Sequence, residues 1–488
     1  MRLATTTIFN IGAQSLQSHI SDQAKLQAQL SSMRKILTPA DDPIASARIL
    51  DITQAKSINE QYATNSAAAD SFMRLSESTL GQVVSLIHNV QELAVSAGNP
   101  ALTANEKKMK DAELQGRYQE LLALANTTDG QGNYLFSGFK GDTKPFTEAA
   151  FGDVNYFGDD GQRLVQISDG RQVPISESGA DVFQRIKNGN GSFVTAYSPN
   201  NTGSGIISPG EVVDPTKWSS ASNPQDFKIK FHWVANPQKP DQPTVTYDII
   251  YNRQNDPATG LADPQYGTSM IDGMPNAITR TTSSPNSITT LRAYVPGGDI
   301  ELKAQATDPA PVLPDVLPVA GWDFGAKMSI KGMPVGVDPV TKTPIPAPLP
   351  ASQTEGAADE FSVKASTSVD LFTTIGKLSS ALNAYKTDST GNGQAAFQNQ
   401  LNTALSDLSN SLSNVVTVRA FLGARINETD SVKDTTEDLK LQYAKTLSGL
   451  QDLDYAAAIS DFAQNQMVLD AARKSFAQVQ DLSLFKYI

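Results

Sequence analysis

The chain of 488 residues contains no cysteine, which removes disulfides, thiolate metal ligands and cysteine nucleophiles together. Histidine is nearly as scarce, with only His19, His88 and His232. No HExxH pair sets two imidazoles one helical turn apart, as a zinc peptidase requires. A GxSxG elbow and a GxxxxGK[ST] phosphate loop are missing as well. Asp41-Asp42 and Asp159-Asp160-Gly161 lack the alternating oxygen ligands and distal Glu of a calcium loop, and read as a helix cap and a tight turn. Catalysis, a cofactor and a metal site are therefore not expected. Basic clusters are absent too, and a net charge of -12 argues against nucleic acid as a partner, because neutralising phosphates takes grouped Lys and Arg. No run approaches the ~20 apolar residues that span a bilayer, so membrane insertion is not expected. The start, Met1-Arg2-Leu3-Ala4-Thr5-Thr6-Thr7, shows neither the apolar core nor the small-residue cleavage site of a secretory signal, which points to export without a cleaved signal or to none.

Proline is absent after Pro350, and 22 of the 27 prolines lie between Pro199 and Pro350. The last part of the chain is thus free to be continuous helix, while Trp218, Trp233 and Trp322 mark the proline-rich middle as a domain with its own core. A first helix is expected to end near Leu37. In the sequence Thr38-Pro39-Ala40-Asp41-Asp42-Pro43, Asp42 is a good N-cap and Pro43 suits the first helical position of a second helix. That helix runs to about Ala97, with Phe72, Leu75, Thr79, Val83, Leu86, Val90, Leu93 and Ala97 on one stripe. Thr103 and Glu106 form a capping-box pattern that opens a third helix reaching about Asn126. Helical rhythm returns after Ser368 and, past Gly391-Asn392-Gly393, holds through Leu401, Leu405, Leu408, Leu412, Val415, Leu422 and Ile426 and on through Leu439, Tyr443 and Leu450.

Between the helices the pattern changes to glycine and alternating aromatics. Residues 129 to 139 read as a β-hairpin. Phe227, Ile229, Phe231 and Trp233, then Val245, Tyr247, Ile249 and Tyr251, alternate with other residues as two half-buried strands. The stretch from Pro339 to Pro350 reads as an extended loop insertion. The expected fold is α+β: an elongated helical rod with an inserted antiparallel β domain. Terminal coiled-coil helices cover 1–37 and 455–488, a helical core 38–185 and 362–454, and the β-rich insertion 186–361.

The most informative pattern lies at the two ends. Phe9, Leu16, Ile20, Leu30 and Met33, with Ala13, Gln23, Leu26 and Leu37, follow steps of three or four residues or multiples of them, and Ile459, Phe462, Leu469, Phe476 and Val479 make a similar stripe. A stripe this narrow has to be covered by another helix, either from the other terminus or from a neighbouring copy. Polar Gln23, Gln466 and Arg473 on or beside the seam would help set register. These ten apolar residues are the expected subunit-packing set, in a protein that assembles.

Several motifs occur in order along the chain. They are Thr38-Pro39-Ala40-Asp41-Asp42-Pro43, Asn59-Glu60-Gln61-Tyr62, Gly132-Asn133-Tyr134-Leu135-Phe136-Ser137-Gly138, Arg419-Ala420-Phe421-Leu422-Gly423-Ala424-Arg425-Ile426-Asn427 and Asp452-Leu453-Asp454-Tyr455-Ala456-Ala457-Ala458-Ile459-Ser460. With these the chain resembles the flagellin superfamily and, within it, the hook-filament junction family (flagellar hook-associated protein 3), over roughly residues 1–195 and 355–488. Ser329-Ile330-Lys331-Gly332-Met333-Pro334 and Asp359-Glu360-Phe361-Ser362-Val363 resemble a strand pair of that family split by the proline-rich insertion. The resemblance implies an extracellular structural component of the bacterial flagellum, exported by the flagellar type III route. It also implies a homo-oligomer in a ring or helical layer between the first hook-associated protein and the flagellin filament, with a cytoplasmic export chaperone as an earlier partner. Filament flagellin, or a flagellin variant, is the alternative that the same resemblance allows.

Overall fold

The computed structural model describes residues 5–234, 244–255, 260–275, 291–309, 321–337, 344–345, 356–386 and 391–481. Eight helices lie among them: α1 (Thr5–Ser32), α2 (Pro43–Ala97), α3 (Ala104–Ala125), α4 (Gly179–Phe183), α5 (Pro215–Trp218), α6 (Leu371–Ala384), α7 (Asn392–Gln451) and α8 (Tyr455–Asp481). Every strand pairing among the described residues is antiparallel, and the fold is α+β. The chain divides into two compact units, the first made of residues 1–71, 165–173 and 426–488 and the second of 72–164 and 174–425.

Helix boundaries follow local chemistry. In α2, Asp42 accepts the Ala45 N–H at 2.9 Å ahead of Pro43, as its sequence predicts. The capping box of α3 is formed in both directions: Glu106 accepts the Thr103 N–H at 2.7 Å and donates its own N–H to the Thr103 hydroxyl at 3.3 Å. α1 stops at Ser32, short of the expected Leu37. There Met33 turns left-handed, with φ 55, and the Ser31 and Ser32 hydroxyls return to the Ala28 carbonyl.

In the second unit, Leu401, Leu408, Val415 and Leu422 of α7 are buried at seven-residue intervals as expected. The expected stripe of α2 is buried at Phe72, Thr79, Val83, Leu86, Val90, Leu93 and Ala97 and fails only at Leu75. Leu75 is 37 % exposed, while Met73, Leu80 and Ile87 are fully buried together with Val83 and Val90. Leu86 and Leu93 are buried too, so the helix hides an arc wider than one seam. Glu77 and Arg419 form an ion pair between α2 and α7, and a Cβ added at Gly98 would meet Leu401 at 2.8 Å.

Residues 129–139 do not form the expected hairpin. Asp129 draws in the Gln131 and Asn133 N–H groups at 2.9 and 2.8 Å, which closes a turn with a single bridge between Thr128 and Tyr134. The hairpin comes later, from Phe146–Ala150 to Asp153–Tyr156. Phe136 of the motif instead joins Phe146, Phe183 and Phe372 in an aromatic core, with ring centroids 5.4 to 6.1 Å apart. Gly152 of the hairpin turn meets Gly376 of α6 backbone to backbone.

The larger sheet runs in the order 268–269, 244–251, 226–234, 356–365, 193–197, with 292–293 also paired to 244–251. Phe227, Ile229, Phe231 and Trp233 are buried on one face as predicted. The partner strand is not half-buried: Thr246, Asp248 and Ile250 are covered as well, because both faces of this strand are packed. Strands 323–331 and 356–365 do not pair. The former pairs with 299–303, 206–207 and 211–212, while the latter inserts Phe361 and Val363 opposite Ile229 and Phe227. Of the expected insertion at Pro339–Pro350, Pro344–Ile345 pairs with Gly336–Val337; the rest lies outside the described residues.

Candidate assembly surface

The first unit joins sequences from opposite ends of the chain. α1 and α8 pack along each other, with the Phe476 ring 3.0 Å from where a Gly12 Cβ would sit. Their connectors are hydrogen-bonded in turn: the Lys35 N–H donates to the Gln451 carbonyl at 2.7 Å and the Leu453 N–H to the Met33 carbonyl at 3.2 Å. The motifs at 38–43 and 452–460 are the caps of these connectors. Asp41 accepts N–H groups from Leu37 and Thr38 at 3.1 and 2.9 Å and pairs with Lys25 at 2.7 Å. The Lys25 ammonium and these donors hold its carboxyl well below the usual carboxylate range. Asp454 caps α8 through the Ala456 and Ala457 N–H groups. Asn59, from another of the motifs, is buried and donates to the Thr436 carbonyl of α7 at 2.8 Å. Arg171 pairs with Glu428.

The structure sorts the predicted packing residues into two groups. Leu16, Leu30, Phe462, Leu469 and Phe476 lie on the seam between α1 and α8, half-buried except for Leu469 at 3 % exposure. The seam of α8 is Ala458, Phe462, Asn465, Leu469, Ala472 and Phe476, a regular alternation of four and three residues. Sequence reading took Ile459 for this seam where Ala458 occupies it, because an alanine gives little apolar signal. Ile20, Met33 and Ile459 are 48, 67 and 46 % exposed. They stand with Ile11, Tyr455, Met467 and Val468 as apolar side chains that α1 and α8 leave uncovered. The side chains of Phe9 and Val479 lie outside the described residues.

This imbalance runs through the first unit. Among the described residues, Ala69, Ile167, Val173, Ile426, Ala458 and Leu469 are the only buried apolar residues of this unit, whereas eleven of the twenty-four large exposed apolar side chains belong to it. So many exposed apolar side chains beside so few buried ones make this unit a candidate contact surface for another molecule. Among the described residues no group of three His, Cys, Asp or Glu is placed to hold a metal, and no helix is long and apolar enough to cross a membrane.

Residues 4–140 match the family model of the bacterial flagellin N-terminal helical region. The chain is 33 % identical over 186 residues to flagellar hook-associated protein 3 of Salmonella typhimurium, an alignment covering 38 % of this chain and 58 % of that protein. It is 32 % identical, with the same coverage, to the protein of that name from Escherichia coli. The match thus spans under two thirds of the length of these curated relatives. Crystal structures share the fold: hook-associated protein 3 of Legionella pneumophila, with TM-score 0.62 and 24 % identity over 82 % of this chain and 98 % of that one, and FlgL of Xanthomonas campestris, with TM-score 0.58 and 23 % identity over 81 % and 99 %.

Proposed function

We propose that this chain is a structural, non-enzymatic component of the bacterial flagellum that acts outside the cell at the junction between hook and filament. The carrying observation is the first unit, in which two terminal helices close on each other through a thin seam and leave a second apolar set uncovered. An intrachain core would hide those side chains. A ring or helical layer of identical subunits hides them between copies, because each copy offers the same surface to the next.

In this reading Leu16, Leu30, Phe462, Leu469 and Phe476 hold the helix pair together, while Ile11, Ile20, Met33, Ile459, Met467 and Val468 face neighbouring subunits. The first hook-associated protein lies on one side and flagellin on the other. A cytoplasmic export chaperone covers the terminal apolar residues before assembly. The β-rich middle, with its separate core, is outside the assembly interface. The 33 % identity to a hook-associated protein 3 supports the junction over the filament. The test is complementation: expressed in a strain lacking its own hook-associated protein 3, the chain restores filament attachment and swimming. Secretion of the chain without filament attachment would overturn the junction role.

A further inference from the structure

Lys107 stands one turn into α3, and no part of its side chain reaches solvent. Its ammonium donates to the carbonyl of Ala97, the last residue of α2, at 2.9 Å. It also lies 4.2 Å from the ring centre of Tyr385, which follows α6, and 3.9 Å from that of Phe397 in the second turn of α7. One side chain therefore touches α2, α7 and the residue that caps the end of α6. A C-terminal helix carbonyl and two aromatic faces all present negative potential, which favours the ammonium.

Desolvation opposes them and is the larger influence, lowering this lysine from 10.5 to about 8. No carboxylate comes to its aid. Asp111, one turn further along α3, accepts from Gln115 at 2.8 Å and Asn383 at 2.7 Å through one oxygen and leaves the other without a partner. Glu106 is held by Thr103, and Lys108 and Lys386 are exposed. The last turn of α2 and the first two turns of α7 carry no charged residue.

We propose that Lys107 is a proton-sensitive latch where α2, α3, α6 and α7 meet, held closed more firmly once the buried ammonium gives up its proton, because the relief from burying a charge outweighs the carbonyl and ring contacts that weaken. The opened site exposes an ordinary lysine and binds the proton more strongly than the closed site. Closure is therefore weakest below pH 8 and strengthens as the pH rises through 8 toward 10.5.

Hydrogen exchange on the full chain, corrected for the intrinsic pH dependence of amides, reads the opening in peptides covering 94–112. Between pH 7 and pH 9.5 opening is expected to fall by on the order of tenfold, while peptides covering 73–90 serve as the internal control. In Lys107→Met the dependence disappears, and at pH 7 the region is already protected as in the wild type at pH 9.5. Should that variant fail to fold, carbon-13 NMR of lysine-labelled wild type decides, with the Lys107 ε-carbon titrating below pH 9. A Lys107 resonance that titrates above pH 10, or pH-dependent protection that is the same in 94–112 and 73–90, overturns the latch.

Discussion

Replacing Met467 and Ile459 together by Asp is expected to abolish assembly without disturbing the free protein, whereas Leu469→Asp is expected to open the helix pair itself. Met467 and Ile459 are 73 and 46 % exposed, so charging them costs the monomer no more than ~0.5 kcal/mol each. Leu469 is 3 % exposed. Its replacement forfeits ~2–3 kcal/mol of apolar burial, and a carboxylate in its place adds a desolvation cost of a further ~1–3 kcal/mol. The half-buried seam side chains contribute ~1 kcal/mol each before any entropy is charged, so a loss of this size consumes most of what holds α1 to α8. Hydrogen exchange across residues 7–32 reads the seam, and filament attachment in a complemented deletion strain reads assembly. The double variant should exchange like the wild type and leave cells with hooks but no filaments; Leu469→Asp should exchange fast throughout α1. Normal swimming by the Met467/Ile459 variant would refute the idea that the outer apolar set packs between subunits. Unchanged exchange in Leu469→Asp would refute the seam.

Asp41 lies below its ordinary value of 3.8, so its contribution is complete above that value and is lost as the pH falls through the folded-state value; Asp41→Asn should remove this acid dependence from exchange of the 35–45 connector, and an unaltered acid profile would count against the Lys25 pair. Gly376→Ala places a methyl 2.6 Å from the Gly152 Cα and should destabilise the second unit by ~1–3 kcal/mol in urea unfolding followed by circular dichroism. Deleting residues 199–350 should leave attachment intact, since Tyr197 and Phe361 are already register partners across the base of the insertion; loss of attachment with the helical signal retained would make the β-rich region part of the junction.

What was legible in the sequence was whatever depended on local chemistry. Asp42-Pro43 and the box at Thr103 and Glu106 set helix starts through bonds within one turn, and the proline-free stretch from 392 to 451 is one helix. Tertiary choices were less visible. The α2 stripe holds except at Leu75, because periodicity alone does not say how wide an arc of a helix is covered, and Met73, Leu80 and Ile87 lie in the buried arc beside it. The strands at 329–333 and 359–363 resemble partners, yet nothing in either states that Phe361 lies opposite Ile229. Lys107 was missed outright: a lysine in a charged helical stretch gives no sign that two aromatic rings almost three hundred residues later enclose it. Within the candidate surface, sequence spacing found the seam residues and Ile20, Met33 and Ile459 but not Ile11, Tyr455, Met467 or Val468, and it could not separate seam from outer face, since the two differ by a single position, as Ala458 and Ile459 show.

The pairing of strands 193–197 and 356–365 reaches beyond the sheet itself. The excursion between them leaves and returns through neighbouring strands, so chain can be gained or lost in its outer part without moving the two strands apart. Such a gate leaves the middle region open to insertion and deletion. It also allows two relatives to share a fold while their middle regions differ in length, and here the fold agrees with a solved relative over 82 % of the chain while identity to a curated one covers 186 residues. The same gate is a practical insertion point for a tag or foreign domain, provided it is placed away from Gly205 and Ile207, which bond to Asn399 of α7.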